Sequence, residues 1–95
     1  MQNILLVIDM QNDFIDGALG PVLQKLDQEN PIESIIVIGL CTDICVISNA
    51  MIAKAFLPEV PIRVDANCCA GVTPETHENA LKAMEVCRIK VERSH

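Results

Sequence analysis

No apolar run in this chain approaches the roughly 20 residues that a membrane-spanning helix needs. The N-terminus lacks the basic flank and cleavage site of a signal peptide. A cytoplasmic protein without a membrane partner is the expectation. Basic residues are scarce: seven Lys and Arg stand against thirteen Asp and Glu, for a net charge of −6. Phosphate binding needs clustered cations, so the balance argues against nucleic acid as a partner. The acidic residues are spread along the chain and read as solubility. Five cysteines, at 41, 45, 68, 69 and 87, are odd in number and irregularly spaced. That is not a secreted disulfide framework. With no CxxC pair and only His77 and His95, it is not a zinc pattern either, and no metal ligand is assigned. Internal repeats, low-complexity tracts and interdomain linkers are absent.

What is present is hydrophobic: 51% of the 95 residues, far too many for a disordered chain. One small domain of this size buries about 60–65% of its unfolded surface. Residues 3–8 read as a near-continuous apolar strand of the kind found inside a parallel sheet. Residues 9–20 form a loop. Pro21 to Gln28 makes a short helix, with Val22, Leu23 and Leu26 on one face. Residues 34–39 are a second strand closed by Gly39. Residues 44–57 form a second helix, with Thr42 or Asp43 as its cap, Ile47, Ala50, Met51 and Ala55 at helical spacing, and Pro58 as its stop. Pro61 to Asp65 is a short strand, placed near an edge by its proline. Thr73 caps a third helix with Pro74 in its first turn, and Cys87 to Val91 alternates like an outer strand. Strands alternating with helices imply parallel βαβ units, with ligands at the carboxyl ends of the strands.

Two motifs lie at such ends. Ile35-Ile36-Val37-Ile38 runs into Gly39-Leu40-Cys41-Thr42-Asp43-Ile44-Cys45-Val46, which places Cys45 at a tight turn feeding a helix. Backbone N–H groups and the helix dipole favour a thiolate there. Ile4-Leu5-Leu6-Val7-Ile8 runs into Asp9-Met10-Gln11-Asn12-Asp13-Phe14, which puts a carboxylate at another strand end. Acid and thiol at neighbouring strand ends are the skeleton of a cysteine hydrolase. The plainer readings are that Asp9 ends a strand and Phe14 belongs to the core. Cys41, Cys68, Cys69 and Cys87 read as reduced, small, buried hydrophobes. Gln11, Asp13, Thr42 and Asp43 read as loop-bracing hydrogen bonders.

These two segments resemble the signature segments of the isochorismatase-like cysteine hydrolases, nicotinamidases in particular. Val64-Asp65-Ala66-Asn67-Cys68-Cys69-Ala70-Gly71-Val72-Thr73 resembles the strand and loop that follow the nucleophile helix in that family. The resemblance implies a three-layer, Rossmann-like α/β fold around a parallel sheet. It implies Cys45 as the nucleophile that attacks an amide carbonyl and becomes a thioester. It implies Asp9 as the acid that takes the thiol proton and returns it to the leaving ammonia. A cis Leu40–Cys41 peptide is implied, with the N–H groups of Cys41 and Cys45 as an oxyanion hole, and Phe14 as a wall of the substrate pocket. The substrate class would be nicotinamide or a similar small amide, within NAD metabolism.

The chain departs from the family between Gly20 and Pro21. The stretch that in relatives carries two strands, the catalytic lysine and an Asp/His cluster for a divalent metal such as zinc has no counterpart here. Lys25 lies on a helix without the lysine motif and is no substitute, and no cofactor is assigned to this chain. In the family's strand order 3-2-1-4-5-6, strands two and three are lost together. Residues 1–95 are therefore expected to form one domain, internally shortened after about residue 20, with about four strands in order 1-4-5-6. Ile4 to Ile8 becomes an uncovered edge that invites pairing with another chain, so a homo-oligomer is expected. Two functions follow from this reading: a nicotinamidase-like amidohydrolase, and a catalytically inactive domain that works by self-association.

Overall fold

The structure is a computed structural model that describes residues 1–8 and 19–93. Among the described residues four strands and three helices alternate: β1 (Gln2–Ile8), α1 (Leu19–Glu29), β2 (Ile32–Leu40), an elbow of one π turn (Thr42–Val46), α2 (Ile47–Phe56), β3 (Ile62–Ala70), α3 (Pro74–Val86) and β4 (Lys90–Glu92). The sheet is parallel throughout, in the order β1-β2-β3-β4. This is the α/β class and the strand sequence expected for order 1-4-5-6. Among the described residues, no helix is long and apolar enough to cross a membrane.

Each strand lies beside its predecessor, so right-handed crossovers carry the helices to one face. Consistently, α1 packs on α2 and α2 on α3. The core lies between that helical layer and the inward residues of the strands: Ile35, Val37, Ile62 and Val64 against Leu23, Val46, Ala50, Ala53, Leu81 and Met84. Of the three layers of the fold, the described residues supply two. Along β1 the alternation is complete, with Ile4, Leu6 and Ile8 turned inward while Leu5 and Val7 stay 59% and 63% exposed.

Several local expectations are corrected. Val22 and Ala55 are exposed; Leu23 and Leu26 carry the inner face of α1, and Ala53 that of α2. β3 is an interior strand between β2 and β4. Pro61 precedes it, so its missing N–H removes no bond from the ladder, and its carbonyl accepts from Ile35 N at 3.0 Å. β3 also runs five residues past Asp65. The register jumps from Val37–Val64 to Gly39–Cys69, and the intervening bulge is closed by Asn67 N donating to Asp65 Oδ1 at 3.0 Å. β4 is the short outer strand Lys90–Glu92, and Cys87 ends α3 instead of starting that strand.

Both ends of α3 are well formed. Thr73 and Thr76 make a reciprocal capping box, each hydroxyl accepting the other's N–H at 3.1 Å, with Pro74 in the first turn. At the other end, Ile89 N donates to Met84 O and Arg88 N to Glu85 O, both at 3.0 Å. This is the Schellman pattern, with Arg88 in the left-handed position at φ 66°.

Candidate active site

The carboxyl end of β2 is shaped by Gly39. It sits at φ +129°, and a Cβ there would run into the Ile8 carbonyl of β1, so only glycine lets the two strands stay paired to Val7–Ile38 and Ile8–Gly39. The Leu40–Cys41 peptide is cis. The chain then winds once, with Val46 N and Ile44 N both donating to Cys41 O, at 3.0 and 3.1 Å. Cys45 lies inside this turn, 5% exposed. Its carbonyl accepts from Asn49 Nδ2 at 2.8 Å, and the Ile44 carbonyl accepts from Ser48 Oγ at 2.6 Å.

Neither Thr42 nor Asp43 caps a helix; no side chain caps either the turn or α2. Both reach across to the α3 side instead. The Thr42 hydroxyl, on a fully buried residue, meets His77 Nδ1 at 2.8 Å. The Asp43 carboxylate accepts from Val72 N at 3.3 Å. The Thr76 hydroxyl, then the Val72 N–H and the nearby His77, hold the Asp43 carboxyl below the usual carboxylate range against partial desolvation. An open cleft of about 290 Å³ lies beside this seam, lined by residues 69–74 and His77.

The remaining cysteines are not the buried hydrophobes expected. Cys68 and Cys87 are exposed, Cys41 and Cys69 half-buried, and Cys45 is the buried one. Cys68 and Cys69 lie in the bulged end of β3, Cys87 at the end of α3, and Cys41 at the start of the elbow. Partial desolvation, then hydrogen bonding to Asp65, push the Cys68 thiol up; desolvation likewise raises Cys69. Asp9 and Phe14 lie outside the described residues. Lys25 is exposed on α1. Among the described residues, no group of three or more His, Cys, Asp and Glu side chains is placed to hold a metal ion.

Two site residues escaped the sequence reading. His77 acts on a residue 35 positions away, and nothing local marks it. Asn49 had a signal: a lone polar residue on the apolar face of α2, one turn after Cys45.

The isochorismatase domain family model matches residues 16–93, and the chain belongs to that family. Three solved structures are similar. The zinc-bound pyrazinamidase of Pyrococcus horikoshii is 25% identical at a TM-score of 0.66, over 76% of this chain and 39% of that one. The nicotinamidase of Staphylococcus aureus is 32% identical at 0.64, over 74% and 44%. An isochorismatase-like hydrolase of Alkaliphilus metalliredigens is 27% identical at 0.63, over 74% and 37%. The matched part of this chain thus spans about two fifths of each of those proteins. No curated protein sequence matches.

Proposed function

We propose that this chain is a cysteine amidohydrolase domain of the nicotinamidase type, acting on a small amide such as nicotinamide. The observation that carries the reading is the elbow. A cysteine sits at the carboxyl end of a central parallel strand, in a turn tied down on both sides, where α/β folds place their chemistry. In this mechanism Asp9 takes the Cys45 thiol proton, and the sulfur attacks the amide carbonyl. The tetrahedral oxyanion lies against the N–H groups of Cys41 and Cys45, and Phe14 walls the ring. Collapse breaks the C–N bond, the proton returns from Asp9, and ammonia leaves. Water then hydrolyses the thioester to the acid and regenerates Cys45.

In this reading the chain is one cytoplasmic domain, internally shortened after about residue 20, whose set lacks the family lysine. Turnover is then at least about a hundredfold below a complete relative, the scale of one catalytic group. The test is ammonia release from nicotinamide and pyrazinamide by the purified protein beside Cys45→Ala. Slow release that disappears in the variant supports the reading; release equal in both defeats it.

A second reading, a catalytically silent domain that self-associates, is favoured by β1. This strand, at the edge of the sheet among the described residues, has no charge and no proline, and it exposes its own Leu5 and Val7. The occupant is a second copy, pairing edge to edge. Sedimentation at micromolar concentration is expected to give a dimer or larger species, shifted to monomer by Leu5→Lys with Val7→Lys; a parent monomer removes this reading.

A further inference from the structure

We infer that His77 is a positioning residue: through the buried Thr42 hydroxyl it holds the elbow that contains Cys45. The inference rests on the reading of Cys45 as the nucleophile. Thr42 opens the π turn that contains Cys45 and is itself fully buried. A hydroxyl there must find a partner inside the protein, and among the described residues His77 Nδ1, at 2.8 Å, is the one it meets. His77 is anchored independently of the elbow. It lies in the first turns of α3, whose start is fixed by the Thr73–Thr76 capping box. The loop before α3 is tied to the elbow a second time, by Val72 N donating to Asp43. Neighbouring residues of the elbow therefore reach the same helix start, one through a hydroxyl and one through a carboxylate.

A separate observation agrees. A Cβ on Gly71 would stand 2.7 Å from the Cβ of His77, so the glycine is what lets the loop pass the histidine in this position. The ring does not itself act on the substrate. Its Nδ1 is engaged with Thr42, and its role is exerted through the turn.

The test is site-resolved mass spectrometry of iodoacetamide labelling on the whole protein. In the parent, Cys45 is only 5% exposed, so its labelling is slow. His77→Leu should free the turn and raise Cys45 labelling by about tenfold or more, as a local opening does, with Cys87, exposed at the far end of α3, at its parent rate. Ammonia release should fall in the same variant. His77→Asn keeps a polar atom at the Nδ1 position and should restore parent labelling to within about threefold. Unchanged Cys45 labelling in His77→Leu overturns the inference. If all cysteines rise together in that variant, the fold has been lost, and Thr42→Val, which deletes the hydroxyl at equal volume, decides. Selective opening of Cys45 supports the inference, and parent-like labelling overturns it. Failure of the nucleophile reading is separate, since it is seen as ammonia release that survives Cys45→Ala in the parent background.

Discussion

In β1 and β2 the two faces of the sheet carry the same kind of side chain and meet opposite fates. On the helical face Ile35, Val37, Ile62 and Val64 are sealed at 0 or 1% exposure. On the other face Leu5 and Val7 stay more than half exposed, and Leu40 is 52% exposed at the strand end. β3 distinguishes its faces by alternating Ile62 and Val64 with Arg63 and Asp65, but β1 and β2 are apolar on both sides, as strands covered by helices on both faces are. The difference lies in the connections. Each strand here lies beside the one before it, and every crossover turns the same way, so one face receives all three helices. Strand composition written for two helical layers is, in the described residues, served by one.

Paired truncations break this comparison most sharply. Ile35→Ala empties a fully buried site and should cost about 2–5 kcal/mol, a large part of the roughly 5–14 kcal/mol that a domain of this size possesses. Leu5→Ala, on the open face of the neighbouring strand, should cost less than about 1 kcal/mol in the monomer. Urea unfolding at low protein concentration measures both. Equal losses would mean that the open face is covered in solution.

What could be read in the sequence follows the same division between local and distant causes. The apolar runs gave β1 and β2, Gly39 marked the strand end, and Thr73-Pro74 marked the start of α3, because each signal acts within a few residues. The elbow was legible as a place but not as a structure. Thr42-Asp43 before a helix has the form of a cap, and only the approach of α3 and the loop before it, about 30 residues on, turns both side chains toward that seam. The length of β3 was hidden because Asp65 and Asn67 are turn residues that here make a bulge inside a continuing strand. The burial of the cysteines depends on which face and which end of an element they occupy, and composition specifies neither.

A middle-sized effect concerns the seam itself, where the sealed side is tied by polar bonds instead of apolar packing. The folded protein holds the Asp43 carboxyl below its ordinary value, chiefly through Thr76 and Val72. A carboxyl depressed on folding contributes its stability above its unfolded pKa of about 3.9 and loses it as the pH falls through the lower folded value. The difference in urea midpoint between the parent and Asp43→Asn should therefore be constant near neutral pH and shrink only below about pH 4. A difference that fades between pH 5 and 7 would assign the effect to another group.

The smallest effect tests whether the sealed side is fully optimised. Arg88 takes the left-handed position that closes α3, at φ 66°, and makes no ion pair among the described residues. Its side chain is exposed, while the next residue, Ile89, is 1% exposed and packs where the motif places its hydrophobic contact. An L residue in this conformation costs about 1–2 kcal/mol, and glycine removes that cost while adding up to about 1 kcal/mol of unfolded-chain entropy. Arg88→Gly should therefore stabilise the protein by no more than about 1 kcal/mol, a rise of up to about 4–8 °C in melting temperature. Calorimetry of parent and variant reads the sign directly. A fall in melting temperature would show that the Arg88 side chain contributes an interaction larger than the conformational gain, and would move α3's C-terminus from the under-optimised to the optimised part of the sealed face.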